Sequence, residues 1–438
     1  MARRITSGLL KHSLLLLAAT QIANICNILF QAAMGRLLPP AEYGVLLTML
    51  GLALIVVTPL QAITAVAAHY TALLLTEGRS REVNAYVFFW CKRLAVPMAI
   101  LLAAAVFCAS LLQDFFHLSS PGPVRLTLTA IALSVLVPLF VGALQGLQRF
   151  LWMALTAYAW AVIRLLAGVA LVLVWQRTAM AGLWGQAIGV LASLGCGIAA
   201  LAVLTETRGR ALSSVPGVHR YFAGSLLVLS GFALLTYLDV PLIKHYFADP
   251  HIAGIYSRAS VIGRAAFFLP MPVAQAMFPK VASSGGMDVH DRRNLIKAIL
   301  FTVLLTGTVA LVLSLFPGLP QGVLFGDFTP NAEVARLTRA AIWAMAPLSL
   351  LFLLLNFEMA QHRFLAAMTV LPAAGAFVAG TAIWHESPIQ VLGVLGTVAV
   401  STVVILCFAI PWTRPDSVQA TPTGRIPPVT PHDGSASV

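Results

Sequence analysis

Three arginines lie inside otherwise apolar stretches of the sequence, where a charged side chain has chemical consequences. Arg164 is near the middle of one stretch, and Arg258 and Arg264 lie in the first half of another. A charge at the centre of a bilayer costs about 2.5 to 3.5 kcal/mol on insertion scales, so it usually faces a protein interior and marks a pathway. Because a guanidinium binds phosphate oxygens bidentately, the pattern indicates a site for an anion.

Each arginine also has a structural interpretation. Arg258 is close enough to its helix start to reach the membrane surface, Arg264 could neutralise Asp239, and Arg164 could pair with a carbonyl or another helix. The apolar stretches contain Asp239 and Glu358 as acids, and a surface-facing position is expected for Glu358. We therefore expect at least one cation without a built-in partner, a place that an anionic substrate could take.

Other polar side chains accompany the arginines at helical spacing. A stripe at intervals of three and four residues comprises Gln21, Asn24, Asn27 and Gln31. This stripe is predicted either to line a wet cavity or to form hydrogen bonds to neighbouring helices. Neither interpretation is favoured, because an interhelical hydrogen bond contributes only about 0.6 kcal/mol on average. A second shared face comprises Tyr256, Ser260, Arg264 and Gln275. Asp239 is predicted to be an ion-coupling site, half of a structural pair with Lys244 or Arg264, or a residue at the outer mouth.

The stretches that hold these residues have the length of membrane spans. Hydrophobic residues make up 59% of the chain and charged ones 10%, and a span needs roughly 20 predominantly apolar residues. The fold class predicted is an all-α integral membrane protein with about twelve spans. They run over Leu9–Met34, Val45–Leu75, Leu94–Leu112, Leu126–Leu147, Phe150–Trp175, Leu183–Leu204, Phe222–Phe247, Ala253–Val281, Leu295–Phe316, Ala335–Ala360, Leu365–Trp384 and Val391–Ile410. Kinks are expected at Pro59 and at Pro270 with Pro272.

The basic residues predict the orientation. With the amino terminus in the cytoplasm, most of the 27 lysines and arginines fall on the inner side, so both termini are predicted to be cytoplasmic. The formal charge of +12 would then face anionic lipid. Nucleic acid is not expected as a partner, because the basic residues are scattered through short loops.

A faint internal repeat divides the chain into halves. Pro40 and Pro250 are each followed by three residues and a glycine, and Arg-Phe-Leu occurs at 149–151 and again at 363–365. Pro59 and Pro272 each precede a Gln-Ala pair. Six spans separate the equivalent positions, and an even number of crossings returns the chain to the same side of the membrane. Both halves would therefore share one membrane orientation, with a central cavity between them. The predicted units are an amino-terminal lobe at 1–210, a carboxy-terminal lobe at 211–412 and a disordered cytoplasmic tail at 413–438.

The sequence contains no pattern typical of an enzyme. It lacks a glycine-rich phosphate loop, a nucleophile elbow and metal-ligand spacing, so no catalytic residue, metal or cofactor is predicted. Its five cysteines have no paired spacing. The predicted outer loops, 113–125 and 317–334, are short. We expect a transport protein and not an enzyme.

Three parts of the sequence, within 34–44, 142–150 and 239–281, together resemble polysaccharide flippases of the multidrug/oligosaccharidyl-lipid/polysaccharide exporter superfamily. The segment Met34 to Gly44 resembles their first outer loop, and Gly142 to Phe150 looks like their junction between spans four and five. Asp239, followed by Gly254-Ile255-Tyr256-Ser257 and Phe278-Pro279-Lys280-Val281, is similar to their seventh and eighth helices. The likeness covers almost the whole chain except the tail.

The resemblance implies two six-helix lobes that move a polyprenyl-diphosphate-linked oligosaccharide from the inner to the outer leaflet by alternating access. It places the protein in a bacterial inner membrane, serving lipopolysaccharide or exopolysaccharide biosynthesis, with other polysaccharide assembly proteins as candidate partners. Arg164 and Arg264 would then hold the diphosphate, Arg258 would assist nearer the outer side, and Asn24, Asn27 and Gln31 would contact sugar. Gln275 lies on the same predicted face as Arg264 and is assigned to the substrate site with it.

Two alternatives stay open. A cation-coupled multidrug exporter of the same superfamily is expected to have an acidic residue in the amino-terminal lobe, and the first span has none. The other alternative is a membrane subunit that scaffolds a polysaccharide assembly complex without transporting anything, and it should tolerate charge-neutral replacement of Arg264.

Overall fold

The computed structural model describes residues 2–204, 219–268, 289–361 and 363–410, which fold as helices without any strand. The helices are α1 Ala2–Leu37, α2 Pro40–Val57, α3 Gln61–Thr76, α4 Val83–Phe107, α5 Ala109–Phe115, α6 Gly122–Ser134, α7 Val137–Gly146, α8 Phe150–Val174, α9 Ala179–Leu204, α10 His219–Tyr237, α11 Asp239–Tyr246, α12 Pro250–Phe268, α13 Val289–Leu315, α14 Gly318–Phe325, α15 Ala332–Ala360, α16 Phe364–Ala367, α17 Val370–Ile383 and α18 Pro388–Ala409. The predicted all-α class is confirmed.

The spans follow the predicted order. Ten helical stretches among the described residues are long and apolar enough to cross a membrane, and α10 with α11, bent by 50°, counts as an eleventh. The predicted span Ala253–Val281 begins in α12, and its remainder lies outside the described residues together with Pro270, Pro272 and Gln275. The same is true of the predicted lobe boundary near residue 210 and of the tail.

The second span is interrupted where the sequence places a proline. α2 ends at Val57 and α3 begins at Gln61, with Pro59 in the turn between them. Proline lacks a backbone N–H and clashes with the preceding turn, so the helix cannot continue through it unbroken.

A short helix was missed in the predicted outer loop 317–334. α14 occupies Gly318–Phe325 and ends at Gly326, whose φ of 82° is the left-handed conformation of a helix C-terminus. Glycine adopts this conformation without a steric penalty. The glycine that ends α14 was the available sequence signal.

The predicted repeat has a counterpart in backbone geometry. Arg149, before α8, has φ −91° and ψ 65°, and Arg363, before α16, has φ −93° and ψ 59°. In both places the backbone N–H of the arginine donates to the carbonyl of the residue five positions earlier. These carbonyls belong to Leu144, at 3.0 Å, and Glu358, at 2.9 Å. The two Arg-Phe-Leu segments therefore form the same helix junction.

The helices pack as two lobes. α8 packs between α1 and α9 in the first, and α15 packs against α12, α13 and α18 in the second. The lobes meet along α2, which contacts α10, α11 and α12.

Candidate functional site

Arg164 lies on α8 at the junction with α1 and α9, and its side chain is buried. Its Nη1 donates to Oε1 of Gln186 at 3.1 Å, and its Nη2 donates to Oδ1 of Asn27 at 2.6 Å. It forms no ion pair with any residue that the structure describes. The positive charge is therefore solvated by two neutral carboxamides, and no residue in the described part of the chain neutralises it.

Aromatic rings cover the same guanidinium. Its central carbon lies over the ring of Phe30, 4.2 Å from the centroid, and 4.8 Å from the centroid of Trp160. Such contacts stabilise a cation by about 0.5 to 2 kcal/mol, depending on its desolvation. They do not remove its net charge.

Glycines of α9 allow this arrangement. A Cβ atom on Gly185 would lie 2.5 Å from the Cα of Gly168 on α8, and one on Gly189 would lie 2.7 Å from the carbonyl oxygen of Trp160. The two helices consequently pack backbone to backbone, as small residues permit in membranes. This close approach brings Gln186 within reach of Arg164.

The second predicted cation, Arg264 on α12, is paired with an acid. It donates to Oδ1 of Asp239 and, through Nε, to the carbonyl of Thr236 at 3.2 Å. Tyr256 and Ser260 donate to the other carboxylate oxygen at 3.2 and 2.7 Å. Tyr256, Ser260 and Arg264 thus share a face as predicted. Of the alternatives for Arg264, neutralisation of Asp239 is the one observed.

The third predicted cation, Arg258, lies where the two lobes touch. Its Nη2 donates to the carbonyl of Gly35 at 2.8 Å, and its guanidinium lies over the ring of Phe325, 5.4 Å from the centroid. In the opposite direction, Arg36 of the first lobe donates to Val323 at 2.5 Å and Leu324 at 3.1 Å, carbonyls at the end of α14.

These contacts define the seam, which consists of residues 35–44 in the first lobe and residues 250–258 with 322–325 in the second. Arg36 and Arg258 each donate hydrogen bonds to the last turn of a helix in the other lobe. A cation at this end of a helix also complements the helix dipole. Tyr43 and Phe325 meet edge to face at 5.8 Å within it. In this structure the seam is closed.

The other predicted residues divide into exposed and buried ones. Gln21 and Asn24 are exposed, whereas Gln31 is half-buried and accepts from the Tyr43 hydroxyl at 3.3 Å. The expectation that Glu358 faces the surface is wrong: it is fully buried and accepts from Arg363 at 3.3 Å, because Arg363 folds back over the end of α15. No group of three or more potential metal ligands occurs among the described residues.

Gln186 and Arg36 are contributors that the sequence analysis did not assign. Gln186 is the one carboxamide in the apolar helix α9, the same signal that singled out the stripe on α1. Arg36 could be recognised only with α14 in place, since its acceptors are the last carbonyls of that helix.

Comparisons with solved structures relate the whole fold to membrane transporters. An inward-facing multidrug resistance MATE family transporter of the MOP superfamily superposes with a TM-score of 0.68 at 11% identity, covering 89% of this chain and 93% of that one. The lipid II flippase MurJ, in an inward closed conformation, gives 0.66 at 13% identity, with 90% and 87% covered. The MATE multidrug transporter DinF-BH gives 0.65 at 14% identity, with 91% and 94% covered.

The chain shares its two-lobe fold with these three transporters. No protein-family model matches the sequence, and no curated protein matches it either. The likeness at these identities extends to the fold, and it includes both multidrug transporters and a lipid flippase. What distinguishes those activities in this chain has to come from its own side chains.

Proposed function

We propose that this chain is a flippase that moves a polyprenyl-diphosphate-linked oligosaccharide from the inner to the outer leaflet of a bacterial inner membrane by alternating access. The substrate would serve surface polysaccharide biosynthesis, and the protein would act without enzymatic chemistry. Three features support this proposal: the transporter fold, the polarity of the first lobe and the closed seam.

The uncompensated charge of Arg164 carries the proposal. A buried cation without an anion is costly, because neutral hydrogen bonds replace only part of its hydration. Among the described residues, Arg264 pairs with Asp239 and Arg258 bonds a helix end, whereas Arg164 contacts carboxamides and aromatic rings and no acid. A diphosphate headgroup arriving between the lobes would supply the missing charge.

The polar stripe of α1 supports a hydrated path for the sugars. Gln21 and Asn24 are exposed and make no hydrogen bond in the described part of the chain. Carboxamides facing acyl chains would be unfavourable, since nothing there can bond them. A water-filled cavity that accepts glycan hydroxyl groups suits these side chains better.

Alternating access gives the seam a role. With the amino terminus in the cytoplasm, the seam lies on the outer side, so its closure corresponds to a cavity reachable only from the inner side. Release of substrate to the outer leaflet would then require the reciprocal contacts of Arg36 and Arg258 to break.

A cation-coupled multidrug exporter is the second candidate, since multidrug transporters are among the similar structures. The acids described in the first lobe, Glu42, Glu77, Glu82 and Asp114, lie at helix ends or in connections. A cationic drug would meet Arg164 with no acid beside it. This distribution of charge favours an anionic substrate.

A deletion strain tests the proposal. We expect loss of the chain to cause polyprenyl-linked oligosaccharide to accumulate on the inner leaflet, measured by lipid extraction and mass spectrometry. The intact gene should restore export, and Arg164→Met should not. Arg177→Met provides the matched control, because Arg177 is an exposed arginine just beyond α8 and should complement fully.

Three outcomes would count against a flippase. Normal surface glycan in the deletion strain, with no second flippase present, would remove the proposed activity. Full complementation by Arg164→Met would favour a scaffold, and resistance to cationic drugs that depends on the gene would favour the exporter.

A further inference from the structure

We infer that Arg164 is a positioning residue, which turns Asn27 and Gln186 so that their amide N–H groups, and not the guanidinium, contact the anion. This inference rests on the proposed function and specifies the chemistry of its site. It makes Asn27 and Gln186 the direct ligands of a phosphate-type group.

The orientation of both carboxamides is dictated by chemistry. A guanidinium has five N–H donors and no acceptor, so only an oxygen can face it. Oδ1 of Asn27 and Oε1 of Gln186 therefore point at Arg164, at 2.6 and 3.1 Å. The usual ambiguity between amide oxygen and nitrogen does not arise here. Each NH2 group must consequently point away from the cation.

The guanidinium itself is poorly placed to meet a ligand. Arg164 is only 6% exposed, it lies over two aromatic rings, and two of its nitrogens are already bonded to the carboxamides. Its Nε is buried without a partner in the described part of the chain. Direct contact with a bulky headgroup would require the surrounding helices to separate.

The two carboxamides are better placed. Asn27 and Gln186 are each half-buried, and neither amide nitrogen donates to any residue that the structure describes. Gln31, one turn further along α1, accepts from the Tyr43 hydroxyl through its Oε1, and its NH2 group donates to no described residue. The surface beside Arg164 therefore offers donors.

The N–H donors of Asn27 and Gln186, with the buried cation of Arg164 behind them, favour anions that can only accept hydrogen bonds. Phosphate oxygens accept hydrogen bonds and carry negative charge, and the guanidinium polarises each carboxamide so that its N–H groups donate more strongly. A cation would find neither an acceptor nor a compensating charge, and a neutral alcohol would gain much less. The predicted ligand class is a phosphate or diphosphate ester.

Equilibrium binding of radiolabelled geranylgeranyl diphosphate to the purified full-length protein tests the inference. Gln186→Met and Asn27→Leu preserve approximate size and remove the donors. We expect each to weaken diphosphate binding at least tenfold while binding of the neutral prenol geranylgeraniol is unchanged. If the guanidinium were the direct ligand, freeing one of its nitrogens would leave diphosphate binding equal or tighter, and that result would overturn the inference.

Arg164→Lys provides an independent test. A lysine retains the charge but cannot hold two carboxamide oxygens in a fixed fork, so we expect a loss similar to that of the amide variants. Diphosphate affinity within twofold of the unaltered protein would contradict the inference. Gln145→Met, at an exposed carboxamide ending α7, is the matched control and should bind normally, and thermal unfolding should verify that every variant is folded.

The outcome also separates this inference from the proposed function. If the unaltered protein bound geranylgeranyl diphosphate no better than geranylgeraniol, the flippase proposal would fail, and the inference with it. If the unaltered protein selected the diphosphate while both amide variants kept that selectivity, the inference alone would fail.

Discussion

Gly44 and Gly254 lie against each other where the two lobes meet. A Cβ atom on Gly44 would lie 2.9 Å from the backbone nitrogen of Gly254, and one on Gly254 would overlap the carbonyl of Pro40. The two glycines are equivalent positions of the sequence repeat, four residues after Pro40 and Pro250. The repeat therefore brings its two copies face to face, with no side chain between the backbones.

Gly254→Ala is expected to open the seam. The added methyl group would meet backbone atoms of Pro40, which cannot rotate away as a flexible side chain could. Overpacking of this kind typically costs about 1 to 3 kcal/mol, and each 1.4 kcal/mol shifts an equilibrium about tenfold. Spin labels at Ser119→Cys and Glu386→Cys, one on each lobe, should report a larger population of long distances by double electron–electron resonance.

Gly307→Ala is the matched control for this change. It lies in α13, and a Cβ atom there would have no neighbour within 4 Å among the described residues, so the distance distribution should not change. An unchanged distribution for Gly254→Ala as well would show that the glycine contact does not hold the seam closed.

Local patterns in the sequence predicted much of the architecture. Apolar length predicted the spans, and a shared proline-to-glycine spacing marked Pro40–Gly44 and Pro250–Gly254 as equivalent positions of the two halves. The spacing of Tyr256, Ser260 and Arg264 predicted a common helix face. In the structure all three side chains donate to the carboxylate of Asp239. Each of these inferences depends on periodicity within one helix or on a repeated motif.

The partners of Arg164 and Arg258 could not be predicted in the same way. Arg164 meets Gln186 because α8 and α9 approach through glycines, and neither helix encodes that crossing by its own periodicity. Arg258 was interpreted as a substrate ligand or a surface residue, whereas it bonds a carbonyl of the other lobe. Contacts between helices depend on packing geometry, which a single sequence does not specify.

Replacing Arg36 or Arg258 by glutamine should weaken the seam. Hydrogen bonds from a charged donor contribute about 1.5 to 3 kcal/mol, so either change should raise the open population in the same spin-label experiment. The double variant should show the two effects coupled and not simply adding, because Arg258 bonds the carbonyl of Gly35, the residue next to Arg36. Arg336→Gln, at an exposed arginine of the second lobe, is the control.

Arg258→Gln also separates a seam role from a substrate role. We expect the affinity for geranylgeranyl diphosphate to change less than twofold when measured with the seam closed by an inter-lobe cross-link. A large loss of affinity under that condition would instead place Arg258 among the substrate contacts.

The orientation inferred from the basic residues predicts opposite accessibility for two connections. Ser119, between α5 and α6, should lie outside, and Gln145, at the end of α7, should lie inside. Single cysteines at these positions in a cysteine-free background should react with an impermeant maleimide in intact cells only at Ser119→Cys. Labelling of Gln145→Cys alone would show that the topology is the inverse of the predicted one, and the seam would then face the cytoplasm.

The pair of Asp239 and Arg264 is expected to be structural. Asp239→Asn would leave a buried guanidinium without its anion, and breaking such a pair costs about 3 to 5 kcal/mol. The unfolding transition in detergent should shift to lower denaturant concentration for Asp239→Asn and for Arg264→Met. The double variant should recover part of the loss, because no unpaired charge is left behind.

The competing role for Asp239 is ion coupling, and it predicts a different combination of results. A coupling carboxylate can be replaced by its amide with little loss of stability, whereas transport stops. Asp239→Asn with normal unfolding and no export would therefore support coupling and contradict the structural pair. Asp114→Asn, at an exposed aspartate near the end of α5, should change neither property and so calibrates both measurements.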